Sequence, residues 1–287
     1  MIKNKKGFTL IELLVATLMG ATISIAAISL YLSSQRDYLT QKAIATTVGE
    51  ANDALEYISE KVARSNQDKS YVQLVSNVQN SGVVLSAAAY GSGVTVPNAN
   101  ISQSATGYAF TTDKSDQLVI QYLPKVATGQ DCEGGNITST TAYVVERYFV
   151  RVDSSDSGKL VLACDAGRYA SGSFSGLGGE GITLMRNVDY FRVLLGVKNA
   201  ATFREMSISD YNALSTKMPI LSVSIGVLAH SNNKFGRSDV KNNNATFRVL
   251  DKNVELNSTA SSEVKDFSVY QPFARTIALN YGIGGGD

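Results

Sequence analysis

The sequence predicts an α+β fold in which one long amino-terminal helix packs against an antiparallel β-sheet domain. Two observations predict the helix: an apolar run from Phe8 to Leu32 is followed by an amphipathic stretch, and no proline interrupts the chain as far as Ser65. A third predicts the sheet. From about Tyr71 onward, short runs rich in Val, Ile, Tyr and Thr alternate with Gly, Ser, Asn and Asp.

The first half of the helix, residues 8–32, has the length and composition of a membrane span. Its 25 residues contain one charge, Glu12, and as a helix they would extend roughly 37 Å, enough for a hydrocarbon core of about 30 Å. The run is longer than a secretory signal core and has no clear A-x-A cleavage site after it. A plain membrane anchor stays open. The positive-inside rule predicts a cytoplasmic amino terminus from Lys3, Lys5 and Lys6.

The second half of the helix, residues 33–66, is predicted to cover one side of the sheet. Six apolar residues follow steps of four and three and therefore share one face: Ile44, Val48, Ala51, Leu55, Ile58 and Val62. The stripe is shorter than three heptads and includes an alanine, so packing against the chain's own globular part is favoured over a coiled coil.

Residues 67–287 are predicted to form one β-rich domain. The candidate strands are YVQLVSNV, GVVLSAAAY, QLVIQYL, AYVVERYFVRV with KLVLAC as a hairpin, LMRNVDYFRVLLGV as a central strand, PILSVSIGVLAH, NATFRVL and FARTIALNY. A short helix is expected at SISDYNALS, with Ser207 or Ser209 near its cap. The glycine-rich stretch 167–181, the polar stretch 231–243 and the tail GIGGGD are predicted to be loops.

Little in the sequence points to catalysis or to a bound cofactor. The net charge is +1, which gives no nucleic-acid footprint, and no phosphate-binding glycine motif occurs. The single histidine, His230, ends an apolar strand and is predicted to be a packed residue. No calcium-loop spacing occurs, so turn-forming and solvation roles are favoured for four acids, Asp131, Glu133, Asp153 and Asp156. We therefore expect neither an enzyme nor a metal site.

The two cysteines, Cys132 and Cys164, fit no zinc or redox motif. They flank the predicted hairpin, and the ends of an antiparallel pair can meet. In an oxidising compartment outside the inner membrane we favour a disulfide between them over two separate buried thiols.

The stretch KKGFTLIELLVA, Lys5 through Ala16, resembles the class III leader junction of type IV prepilins and of type II secretion pseudopilins. The resemblance implies that residues 1–7 are a leader, that a prepilin peptidase cuts between Gly7 and Phe8, and that Phe8 is N-methylated. It also gives Glu12 a role in assembly, by pairing with a neighbouring subunit's amino terminus. Removing the lysines and creating an amine one turn from Glu12 would allow the acid to be neutralised in a helical stack.

The carboxyl-terminal part resembles PilW-type minor pilins, with J-type minor pseudopilins of type II secretion next. In that family one strand with a closing glycine precedes a helix, a further strand and a final strand. The matching residues are Asn187, Val188, Tyr190, Gly196 and Val197, then Phe273, Arg275, Thr276, Ile277, Leu279 and Asn280. Leu195 stands where an aromatic residue is usual, and the arginine of the family's closing pair is missing.

This resemblance implies a minor pilin of a type IV pilus, part of a tip complex that primes assembly and serves twitching motility and adhesion. Its implied partners are the prepilin peptidase, other minor pilins, the major pilin, a tip adhesin and the inner-membrane assembly platform. The implied location is the inner membrane, with the globular domain periplasmic, and afterwards the pilus. Two alternatives remain: a pseudopilin of a secretion or DNA-uptake system, and a membrane-tethered ligand-binding module, which a cluster of exposed aromatics within residues 71–180 would favour.

Overall fold

The computed structural model describes residues 7–67, 78–91, 93–94, 100–170, 172–199, 202–231, 245–257 and 268–279. The chain divides into two compact units, Met1–Ala45 and Thr46–Asp287. Three sequence predictions fall wholly or mostly outside the described residues: the candidate strand YVQLVSNV, the polar loop 231–243 and the glycine-rich tail.

A single long helix, α1, runs from Leu10 to Arg64. Its part in the first unit consists of Leu10–Ala45. In the second unit four residues of the predicted stripe are buried in the main core: Ala51, Leu55, Ile58 and Val62 are at most 3% exposed, whereas Ile44 and Val48 are half-buried. The prediction that this stripe packs on the chain's own sheets is confirmed, because α1 shares that core with strands of both large sheets.

A five-stranded antiparallel sheet follows the helix in the chain. Its strands are β1 (Leu118–Tyr122), β2 (Tyr143–Val152), β3 (Leu160–Ala170), β4 (Ser173–Gly176) and β5 (Ile182–Arg186). The order is β1-β2-β3-β4, and β5 also pairs with β3. The predicted hairpin is confirmed: β2 and β3 pair over ten residues, and the Asp153 N–H donates to Lys159 O across the turn.

A second antiparallel sheet contains four strands in the order β11-β8-β6-β7. Its members are β6 (Val188–Lys198), β7 (Phe203–Ser207), β8 (Ile220–His230) and β11 (Tyr270–Ala278), and helix α2 (Ile208–Ala213) lies between β7 and β8 in the chain. The predicted short helix is confirmed, and the Ser207 side chain caps it by accepting from Asp210 N–H. β6 is buried along all but its last residue, as expected for a central strand.

The two sheets are separated by a break that the sequence analysis placed inside one strand. LMRNVDYFRVLLGV is divided at Asn187, whose φ of 56° is left-handed, a conformation that asparagine tolerates better than most residues. Before it, β5 pairs with β3; after it, β6 pairs with β8. The expected single sheet is therefore two large sheets.

Three further predictions are wrong in detail. GVVLSAAAY forms only a bridge at Val83 and a short 3-10 helix, Ala87–Ala89, because the segment folds around the Gln121 amide, which donates to the carbonyls of Ser81 and Ala89. Within the presumed loop 167–181, β3 continues to Ala170 and turns into β4. NATFRVL forms a strand as predicted, β9 (Thr246–Val249), but within the described residues it pairs with β10 (Lys252–Glu255) in a separate hairpin and does not join a larger sheet.

Candidate functional site

The predicted processing site lies immediately before α1. Phe8 is 90% exposed, and a side-chain carbon built at Gly7 would meet nothing within 4 Å. Glu12 lies in the first turn of the helix and is exposed. The structure thus leaves Gly7, Phe8 and Glu12 accessible to other molecules.

Thr9 and Glu12 form a capping box at the start of α1. The Thr9 N–H donates to Glu12 Oε2 over 2.9 Å, the Thr9 hydroxyl donates to the same oxygen over 2.8 Å, and the Glu12 N–H donates to the Thr9 hydroxyl over 3.3 Å. Two amides that the first helical turn leaves unpaired are satisfied in this way. Thr9 was not among the predicted site residues, although the Thr-x-x-Glu spacing is typical of a capping box.

The apolar part of α1 has no partner within the described structure. An 18-residue window has a mean hydropathy of 2.1 and is 0% buried, so the helix is long and apolar enough to cross a membrane. Its hydroxyl side chains donate to carbonyls of the preceding turn, as Thr17 does to Leu14 O and Ser24 to Gly20 O. These bonds satisfy the hydroxyls without water, as a lipid environment requires.

The structure joins Cys132 and Cys164 in a disulfide, with Cα atoms 6.1 Å apart. Cys132 lies in the loop after β1 and Cys164 in the middle of β3. Both side chains are buried in the main core. Their sulfur atoms lie close to a Glu146 oxygen, but a bonded sulfur pair supplies no thiolate ligand, so this trio holds no metal in the oxidised chain.

A buried ion pair connects α1 to the sheet beside this disulfide. Lys61 Nζ lies 3.6 Å from Glu146 Oε1 and donates to Gln130 O over 2.8 Å. Glu146 also accepts from the Cys132 N–H over 3.1 Å and from the Tyr148 hydroxyl over 2.6 Å. Helix, cystine loop and sheet therefore meet at one carboxylate.

Burial governs the protonation of this cluster. It raises the pKa of Glu146 above its usual range, and the Lys61 charge acts in the opposite direction. Burial and the Glu146 charge likewise raise the pKa of Tyr57 and of Tyr148 well above the ordinary value of 10.0. Both phenols stay protonated at neutral pH. The cluster holds the helix, the Cys132 loop and the sheet together. Two features of the sequence could have indicated it: a lysine beside the apolar stripe and a glutamate inside an apolar strand.

The four turn acids hold loops in place. Asp131 accepts from the N–H groups of Glu133 and Gly135 and pairs with Arg168. Asp153 accepts from Ser155, and these bonds hold the pKa of its carboxyl below the usual value. Asp156 accepts from the Gly158 N–H, and Glu133 accepts from the Ala166 N–H of β3.

A second buried cluster, which the sequence analysis missed, fastens the β9–β10 hairpin to the four-stranded sheet. Arg192 of β6 donates to both carboxylate oxygens of Asp251, over 2.9 and 2.8 Å, and lies 3.2 Å from Asp116 Oδ2. Asp116 is fully buried and also accepts from the N–H groups of Val193 and Ala105. Burial raises the pKa of Asp116, and the Arg192 guanidinium opposes that shift.

His230 is buried at the end of β8. Its Nδ1 lies 2.7 Å from Asp189 Oδ2, and both side chains are at most 2% exposed. The Tyr270 ring lies beside it, with centroids 5.3 Å apart. This position inside the protein agrees with the prediction of a packed histidine.

Comparison with known proteins gives a family match at the amino terminus and a distant structural likeness. Residues 2–28 match the family model of the prokaryotic N-terminal methylation motif. No curated protein matches the chain. Among solved structures, a type IV-like pilin from Thermus thermophilus is similar at 12% identity with a TM-score of 0.29, covering 61% of this chain and 83% of that chain. That likeness is too distant to support an argument.

The methylation motif includes the exposed residues at the start of α1. It includes Gly7, Phe8 and the Thr9–Glu12 capping box, and it continues into the exposed apolar part of α1. A prepilin motif followed by such a helix indicates membrane anchoring. Residues 2–28 therefore carry the prokaryotic N-terminal methylation motif, at the start of a chain in which a long apolar helix is followed by antiparallel sheets.

Proposed function

We propose that the chain is a minor subunit of a type IV pilus and takes part in a tip complex that primes pilus assembly, twitching motility and adhesion. It is inserted in the inner membrane through residues 8–32, with the lysine-bearing leader cytoplasmic and the sheet domain periplasmic. Prepilin peptidase cuts between Gly7 and Phe8, and Phe8 is N-methylated. Its partners are the major pilin, other minor pilins, a tip adhesin and the assembly platform.

The observation that carries the proposal is the placement of Glu12. Its carboxylate lies at the amino-terminal end of an exposed apolar helix and is held by Thr9, the residue after Phe8. Cleavage at Gly7 would create an α-amine one residue before Thr9, close to this carboxylate. In a stack of such helices, lipid contact is replaced by helix packing, and the amine of one subunit neutralises the acid of the next.

Because Glu12 both carries a negative charge and caps the helix, two substitutions are needed to separate these two roles. Glu12→Ala removes both the charge and the cap, whereas Glu12→Gln keeps an oxygen that accepts from Thr9 and removes only the charge. If charge pairing drives assembly, both variants insert in the membrane and both fail to enter pili. Normal incorporation of Glu12→Gln would leave the capping box as the function of Glu12 and contradict the pairing.

Mass spectrometry of the chain purified from the cell envelope tests the processing step. The expected species starts at Phe8 and carries one added methyl group. A mature filament subunit that retains residues 1–7 would contradict the proposal.

A pseudopilin of a secretion or DNA-uptake system shares all the amino-terminal properties. A deletion strain separates the possibilities: loss of twitching supports the pilus role, while loss of protein secretion or of DNA uptake supports a pseudopilus. The third alternative, a ligand-binding module, gains no support from the described part of residues 71–180, where the large exposed hydrophobic residues are Tyr108 and Val126 and form no aromatic cluster.

A further inference from the structure

Strand β11 is an edge of the four-stranded sheet. Two hydrogen bonds at its ends determine which of its residues bond to β8. Just outside the strand, the Ser231 N–H donates to Val269 O and the Leu279 N–H donates to Leu221 O. The pairing with β8 is regular between these bonds. Because bonding alternates along an antiparallel pair, odd-numbered residues of β11 bond to β8 and even-numbered ones turn their backbone groups outward.

The outward groups belong to Tyr270, Pro272, Ala274, Thr276 and Ala278. Proline has no N–H, and a proline is tolerated on an edge strand where that group would face away from the sheet, as Pro272 does. Ala274, Thr276 and Ala278 are exposed. Within the described ranges, β11 pairs with β8 and with no other strand. Beyond Pro272, no other strand among the described residues bonds to the outward N–H groups of Ala274, Thr276 and Ala278, whose side chains are small.

Helix α1 flanks this edge with acidic side chains. An open groove is lined by Asn52, Asp53, Leu55 and Glu56 of α1 and by Ala274 and Arg275 of β11. Asp53, Glu56 and Glu60 are exposed and lie on one face of the helix, at spacings of three and four residues. Arg275 pairs with Glu56 across the groove, and Glu60 pairs with Arg64 one turn further along α1. Asp53 remains as a negative charge on its wall.

We propose that β11 is a strand-addition site that binds an extended, basic segment of another protein. The added strand bonds to the outward backbone groups of Ala274, Thr276 and Ala278. Its alternate side chains face the helix, where a Lys or Arg residue meets the Asp53 carboxylate. A second copy of this chain is disfavoured as the occupant, because its own β11 would bring a second Asp53 carboxylate, and not a cation, to the groove. The site consists of the chain's own strand and helix, so it does not depend on the proposed pilus role.

Hydrogen exchange of the full chain in detergent micelles, followed residue by residue by NMR, tests the site. The probes are two peptides of four Lys-Val repeats and four Glu-Val repeats. We expect the amides of Ala274, Thr276 and Ala278 to exchange fast in the free chain and to be protected by the Lys-Val peptide. Protection in the free chain would overturn the proposal, because the edge would then be covered already.

Two variants with a matched control separate backbone pairing from charge. Ala274→Pro removes one outward N–H and leaves the bonds to β8 intact; Ala274→Ser keeps that N–H. Loss of one hydrogen bond and clash of the ring predict binding about tenfold weaker for the proline variant alone. Asp53→Lys is expected to weaken Lys-Val binding and strengthen Glu-Val binding. Equal binding by the proline and serine variants, or no change of preference in Asp53→Lys, would refute the site.

Discussion

Lys61 Nζ in the last turn of α1 lies 3.6 Å from Glu146 Oε1 in the middle of β2, and both side chains are buried. This pair connects the helix to the five-stranded sheet at the point where the disulfide ties the Cys132 loop to β3. A buried charge that loses its partner is costly, whereas loss of both charges together costs little.

Lys61→Met is therefore expected to lower the free energy of unfolding by about 3–5 kcal/mol near neutral pH, because it leaves the Glu146 carboxylate buried and unpaired. The double variant Lys61→Met with Glu146→Gln should regain most of this loss. Urea unfolding of the full chain in detergent, followed by near-ultraviolet circular dichroism, measures both. A double variant that is as unstable as the single one would show that packing, not charge, sets the cost.

The titration of Glu146 should also make the stability of the chain depend on pH. Burial raises its folded-state pKa above the unfolded value of 4.5, so the folded state binds its proton more tightly than the unfolded state does. This contribution is fully present below pH 4.5 and is lost as the pH rises through the folded pKa. We expect the stability of the parent chain, measured relative to Glu146→Gln, to fall over that interval. A difference that rises with pH would contradict the assigned direction.

The disulfide closes a loop with a sequence separation of 32 residues. In the chain-entropy model such a closure contributes about 3–4 kcal/mol. Replacing both cysteines by alanine should lower the free energy of unfolding by this amount under oxidising conditions. Under reducing conditions the parent chain and the variant should converge. A persistent gap between them would mean that lost packing accounts for the difference.

The Arg192 cluster offers a contrast between a buried and a half-exposed partner. Arg192→Met leaves the fully buried Asp116 without its cation, and we expect a loss of about 3–5 kcal/mol. Asp251→Asn changes a carboxylate that is 41% exposed, and its expected cost is only about 0–1 kcal/mol. Thermal unfolding of the two variants checks the order. Equal losses would show that the hairpin contact, not the burial of Asp116, dominates.

Much of the fold follows from periodicity in the sequence, because the relevant interactions are local. The helical spacing of Ala51, Leu55, Ile58 and Val62 predicts which side of α1 is buried. The turn residues after Val152 predict the β2–β3 hairpin. The break at Asn187 was not predicted, because one asparagine within an apolar run is compatible with a continuous strand. The chain turns there because β5 pairs with β3 in one sheet and β6 pairs with β8 in the other.

The functional residues likewise fall into two groups: those that the sequence alone could locate and those that only the tertiary structure brings together. The methylation motif and Glu12 lie in one contiguous segment, so sequence alone was sufficient to locate them and to predict an apolar helix after them. The pairing of Lys61 with Glu146, the three-part contact at Arg192 and the free edge of β11 join residues far apart in the chain. Only the tertiary structure could decide these, because burial and strand order depend on which distant segments pack together, and no local pattern encodes that choice.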